Sequence, residues 1–245
     1  MNALLAGEWL KLRTTRLLPV MVAAAVALSM LAVGGTTLAT KRSEIGLESD
    51  EGLRRILSVS GTGAVVVLLL GVLIAAGEYR HGTATDTFLT TPKRHRVVTA
   101  KLAIGAAVGA STGLLIVLGT LAALAFGLPA KDSSVPISDG LMWATLAGTV
   151  AYSTLFAVLG VALGALLRQQ VLAVALALGW IAIVEHILVN FVPSIGRWLP
   201  AAAGQAIVRT PLDDLLPPLG GALVLAAYSI AVALVGIWVT TTRDA

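Results

Sequence analysis

The residues of this chain that could do chemistry gather in one short stretch. Glu78, Tyr79, Arg80, His81, Gly82 and Thr83 are followed by Thr91, Pro92, Lys93, Arg94, His95 and Arg96, and the basic run ends at Lys101. Charged and hydrogen-bonding side chains of this kind suit charge-assisted docking better than bond-making. They lie between two apolar runs that are each long enough to cross a bilayer, so the stretch belongs in water at a membrane face. The alternative is a basic loop that only fixes topology.

Other constellations lead nowhere. Gly109-Ala-Ser-Thr-Gly113 matches the G-x-S-x-G nucleophile pattern, with Ser111 as the nucleophile and His186 as the base. That elbow requires a strand-to-helix turn, whereas here the motif falls inside a helical run. The histidines are His81, His95 and His186, with no H-E-x-x-H pair and no cysteine, so no metal site is expected. No G-x-x-x-x-G-K-[ST] loop is present, so if ATP powers this protein, another chain binds it. Glu185 is the one carboxylate placed within an apolar run. With His186 and Asn190 it is a candidate for the translocation path, its plainer role being a hydrogen bond to a neighbouring helix or to the Pro-rich segment that follows.

The elements that must position these groups are membrane helices. With 57% hydrophobic and 12% charged residues, a soluble chain of 245 residues could not cover its apolar surface. The mean hydropathy of +0.92 agrees. Six spans are expected, at Leu17 to Ala39, Val59 to Gly77, Leu102 to Leu128, Gly140 to Leu167, Val171 to Val192 and Pro217 to Thr240. Together they make one all-α polytopic membrane domain over residues 1–245, with no room for a separate soluble domain. The first run exceeds the length of a signal-peptide core, so cleavage is not expected.

Spans four and five are joined only by Arg168-Gln169-Gln170 and must form a tight hairpin. With the N-terminus inside, ten Lys and Arg lie in inner segments against seven outside, which places both termini in the cytoplasm and the chain in the cell membrane. Residues 1–16 read as a helix along that surface, with Leu5, Trp9 and Leu12 on its apolar stripe and Glu8, Lys11 and Thr15 on another face. Thr40 to Ser58 reads as a solvated turn with a helical start to span two. Gly105, Gly109 and Gly113, and then Gly160 and Gly164, recur every four residues as helix-packing faces. Residues 193–216 keep apolar groups among Pro193, Pro200 and Pro211, with Pro217 and Pro218 directly after, and read as an extracellular loop or as short re-entrant helices.

An amphipathic lead, six spans and Glu-x-Arg-x-Gly-Thr (Glu78, Arg80, Gly82, Thr83) after span two, with Thr91-Pro92, Arg94, Arg96 and Lys101 beyond, resemble the membrane subunit of type-2 ATP-binding-cassette exporters. His95 departs from that family, which often carries Arg there. The resemblance implies a half-transporter. A coupling helix within 78–101 would dock in a cleft of a separate ATPase subunit, and a second permease chain, identical or different, would complete the assembly. The implied docking residues are Glu78, Tyr79, Arg80, Gly82, Thr83, Pro92, Arg94, Arg96 and Lys101. The chain itself would bind no cofactor and no nucleic acid. It would carry a drug, lipid or peptide, and its surroundings would be the lipid bilayer. The rival readings are a proton-coupled secondary transporter, for which ionisable groups inside the spans are few, and a membrane sensor or assembly factor.

Overall fold

A computed structural model describes residues 2–40, 50–80, 82, 83, 87, 89, 91, 93–129 and 139–242 of the chain. Among these residues every regular element is helical: α1 (Asn2–Arg13), α2 (Leu17–Ala39), α3 (Asp50–Ser58), α4 (Ala64–Arg80), α5 (Arg94–Gly127), α6 (Gly140–Leu167), α7 (Gln170–Gly179), α8 (His186–Phe191), α9 (Pro193–Gly196), α10 (Pro200–Ile207) and α11 (Pro218–Thr242). A 3-10 turn, Val59–Gly63, joins α3 to α4, and a π turn, Trp180–Glu185, joins α7 to α8. Six segments are long and apolar enough to cross a membrane: Leu17–Ala39, Glu51–Arg80, Arg94–Gly127, Gly140–Leu167, Gln170–Phe191 and Pro218–Thr242.

Helix α6 is the hub and packs against α4, α5 and α11. Its two glycine faces explain the closeness. A Cβ on Gly105 would stand 2.6 Å from Val161 Cγ2, one on Gly109 2.6 Å from Ala157 Cβ, and one on Gly113 2.9 Å from Val150 Cα, so α5 lies almost directly on α6. On the other side of α6, a Cβ on Gly160 would collide with the Leu68 carbonyl, and one on Gly164 would lie 2.7 Å from the Val72 carbonyl oxygen. Lipid supplies no hydrophobic force between helices, so dispersion at this short range must hold them together.

Span two differs from expectation. It begins at Glu51 rather than Val59, because α3 supplies the helical start expected within 40–58, and α3 is packed rather than solvated. Leu53, Ile56 and Leu57 are buried against Val33, Leu124, Met142 and Leu146, while Arg54 and Arg55 on the opposite face are exposed. The 3-10 turn that follows leaves backbone groups short of helical partners, which apolar surroundings do not tolerate. Ser29 meets this need: its hydroxyl donates to the Ser60 carbonyl at 2.8 Å and accepts from the Gly63 amide at 3.1 Å. The Ser60 and Thr149 hydroxyls, 2.7 Å apart, extend the polar seam to α6.

The hairpin between α6 and α7 is as tight as its three linking residues require. Arg168 takes a left-handed conformation (φ 54°) that closes α6, with its amide donating to the Gly164 carbonyl at 3.1 Å. Residues 193–216 hold α9 and α10. Ala201 to Gly204, Ala206 and Ile207 of α10 are buried, and a Cβ on Gly204 would overlap the Tyr152 ring of α6.

Candidate functional site

The end of the bundle that carries α1 and the loop after α4 holds a closed set of four charges. Lys101 Nζ is 2.6 Å from Glu8 Oε2 and 2.8 Å from Glu78 Oε1. Lys11 Nζ is 2.7 Å from Glu8 Oε1 and 2.7 Å from Glu78 Oε1. Lys11 also donates to the Thr87 hydroxyl at 3.3 Å, which ties the loop into the set. The four residues come from α1, the last turn of α4 and the second turn of α5, so this one cluster joins three helices and a loop.

Three sequence expectations are corrected here. Glu8 faces inward, not away from the apolar stripe: it is three residues after Leu5 and four before Leu12, and therefore shares their helix face. Leu5 and Leu12 pack beside Leu70, Ile74, Val98 and Ile104, whereas Trp9 is 42% exposed. Glu78 does not face water either, because its side chain is only 12% exposed and is held by both lysines. Lys101, read as the end of a loop, lies within α5 and is 5% exposed, since α5 starts at Arg94.

Burial raises the Glu8 carboxyl pKa, but the Lys101 charge and hydrogen bond, helped by Lys11, outweigh it and leave the group below its ordinary value. For Lys11, burial acts downward and the bonds to Glu78 and Glu8 act upward, with a net rise. Both groups are therefore held in their charged forms. A cavity of about 430 Å3 opens beside the cluster, between Leu12, Thr15 and Leu17 on one side and Leu73 and Gly77 on the other.

The remaining loop residues separate into two sets. Arg80, Gly82, Thr83 and Arg96 are exposed. Gly82 has φ 70°, and the Thr83 amide donates to the Glu78 carbonyl at 3.0 Å, so glycine is needed here to close α4 with a left-handed residue. Tyr79 and Arg94 turn inward instead. The Arg168 guanidinium stands 5.8 Å over the Tyr79 ring and donates to the Val239 carbonyl at 2.8 Å, while Arg94 donates to the Thr240 carbonyl at 3.3 Å. Two cations thus occupy the negative end of α11, where the last carbonyls have no helical partner. His81, residues 84–86, 88 and 90, and Pro92, and with them most of the expected coupling helix, lie outside the described residues.

At the other end of the bundle, Glu185, His186 and Asn190 do not come together. Glu185 is 2% exposed, and its Oε2 accepts the Ala201 amide at 2.7 Å in the first turn of α10. That is the plainer of the two roles considered for it, a hydrogen bond to the Pro-rich segment. His186 and Asn190 are exposed, and the Asn190 amide donates to the His186 carbonyl at 2.7 Å. The π turn explains why Glu185 points inward. Twelve residues after buried Ala173, it would lie about 120° away around an unbroken α-helix. The wider π turn advances less per residue and returns it to the buried face. No periodicity in the sequence marks this shift.

A family described as "ABC-2 family transporter protein" matches residues 4–183, which include most of α1, the charge cluster, four whole spans and part of the fifth. The chain belongs to the ABC-2 transporter family. No curated protein matches it. The chain is therefore a multi-pass membrane permease component, of a kind that works with an ABC ATPase and is not itself catalytic.

Proposed function

We propose that this permease is one half of an exporter, driven by a separate ATPase subunit that docks on the 78–101 segment. The observation that carries the reading is the four-charge cluster. A load applied at Glu78, or at Thr87 through its 3.3 Å hydrogen bond from Lys11, passes through ion pairs of 2.6 to 2.8 Å into α1 and into α5, a helix of 34 residues that reaches the opposite end. Arg80, Thr83 and Arg96 are the exposed groups that would meet the ATPase. ATP and Mg sit on that partner, and both termini lie in the cytoplasm. Spans α2 and α7–α8 are the least covered, 17% buried each against 67% for the span containing α4, and these are the faces a second permease chain would cover. Apolar walls suit an amphiphilic cargo such as a drug, lipid or peptide.

Arg80→Ala is the cleaner probe, because replacing Glu78 would also disturb Lys101 and Glu8. The variant should reach the membrane at wild-type abundance, yet lose at least half of its co-purifying ATPase or of its substrate-stimulated hydrolysis. Wild-type transport and wild-type ATPase recovery would sink the docking assignment.

A further inference from the structure

At the end of the bundle opposite the charge cluster, α3, α10 and the segment before α11 line two adjoining open clefts of about 230 and 540 Å3, in which Glu51, Arg54, Leu212 and Asp213 are exposed and Arg209 is half-buried. Arg54 and Arg209 line the smaller one, with Leu212, Leu215 and Leu216 as its apolar wall. Glu51 and Asp213 line the larger, and Arg54, Thr210 and Leu212 belong to both. Two cations therefore face one cleft and two carboxylates the next. None of these four side chains forms an ion pair with another described residue.

Arg209 is the second observation. The Thr210 amide donates to the Gln205 carbonyl at 3.0 Å and the Arg209 amide to the Ala206 carbonyl at 3.1 Å, which closes α10 through a left-handed residue, Arg209, at φ 56°. Glycine is the residue that adopts this conformation without steric penalty. Arg168, at φ 54°, breaks the same preference and puts its guanidinium to work on Val239 and Tyr79. Among the described residues Arg209 has no such contact, and its side chain lines the smaller cleft instead.

We infer that these clefts bind the zwitterionic head of a phosphate-ester amphiphile, with phosphate on Arg54 and Arg209, ammonium toward Glu51 and Asp213, and the chain along the leucine wall. Arginine suits phosphate through its planar fork of donors. The smaller cleft alone equals the share of about seven waters at ~30 Å3 each, more than a lone ion needs. The site is independent of what the transporter carries.

The test uses the full chain purified in a non-ionic detergent and titrated with dihexanoyl phosphatidylethanolamine, dihexanoyl phosphatidylglycerol and chain-free glycerophosphoethanolamine, with thermal unfolding as the readout. Phosphatidylethanolamine should raise the unfolding temperature saturably, and phosphatidylglycerol, which has no ammonium, should need at least tenfold more. Arg209→Gly relieves the left-handed residue while removing the guanidinium. It should therefore unfold no earlier than wild type without lipid, yet raise the phosphatidylethanolamine midpoint tenfold or more, as should Arg54→Gln. Weak binding of the chain-free head assigns the site to a bilayer lipid, and binding equal to the lipid's assigns it to a soluble phosphate ester. Unchanged midpoints in both variants, or equal response to phosphatidylglycerol, would overturn the inference.

Discussion

Replacing Lys101 by methionine keeps most of the stem but removes the buried cation between Glu8 and Glu78. Both partners are poorly hydrated, with side chains 7% and 12% exposed, so the loss belongs with broken buried pairs at about 3 to 5 kcal/mol. Lys11 still reaches both carboxylates at 2.7 Å, which favours the lower figure of about 3 kcal/mol, or roughly a hundredfold in the unfolding equilibrium. Lys11→Met removes an ammonium that is 48% exposed and well screened, and should lose only about 0.5 to 1 kcal/mol. Adding Glu8→Gln to Lys101→Met removes the stranded charge and should recover half the loss or more. Denaturant unfolding in detergent, followed by tryptophan fluorescence, measures all three. Equal losses for Lys11→Met and Lys101→Met, or no recovery in the double variant, would refute a buried electrostatic tie.

The same cluster sets a pH expectation. Glu8 titrates below its ordinary value, so its contribution is whole above that value and disappears as pH falls through the folded one. Lys11 titrates above its ordinary value, so its contribution is whole below that value and disappears as pH rises through the folded one. Hydrogen-exchange protection of α1, corrected for the intrinsic rate, should then stay level from about pH 5 to 10. A step near neutrality would mean that the cluster is wired differently.

Three further outcomes follow from geometry. Gly160→Ala would drive a methyl into the Leu68 carbonyl and should lose about 1 to 3 kcal/mol, whereas Gly34→Ala, with nothing within 4 Å of the added carbon, should lose none by the same unfolding measurement. Glu185→Gln keeps an acceptor for the Ala201 amide and should retain both stability and transport, while Glu185→Leu strands that amide and should lose about 1 to 3 kcal/mol. In this cysteine-free chain, an impermeant thiol reagent on intact cells should label Ser49→Cys and spare Thr90→Cys, and the reverse pattern would invert the topology.

Much of the fold was legible because long apolar runs admit few solutions in lipid: six spans and the tight hairpin at Arg168 follow from length and charge alone. What stayed hidden depends on contacts between distant segments. Lys101 reads as a loop cation until α5 is seen to begin at Arg94, and Glu8 reads as a surface acid until its partner, 93 residues away, is in place. Ser29, Ser60 and Thr149 look like ordinary small polar residues, and only the 3-10 turn gives them work. Glu185 could be singled out by composition, but its direction depends on a π turn that no spacing announces.

The two ends of the bundle use charge in different ways, and this bears on how such a permease moves. At the α1 end the ion pairs among the described residues tie α1 to α4 and α5 and close Lys11 on Glu8 within α1, and two arginines hold the end of α11. Those contacts make α1, α4, α5 and α11 one body there. At the opposite end the charged residues Arg54, Arg209, Glu51 and Asp213 pair with no other described residue, and α7 and α8 meet through a π turn. A displacement imposed at the tied end therefore crosses the core along the close α4–α6–α5 glycine contacts without being absorbed, because backbones already in contact have no slack to compress. Relative motion must appear where packing is thinnest, at α2 and at α7–α8, each 17% buried. The fold thus sets a tied end, which on the reading proposed above receives the load, apart from the least buried spans.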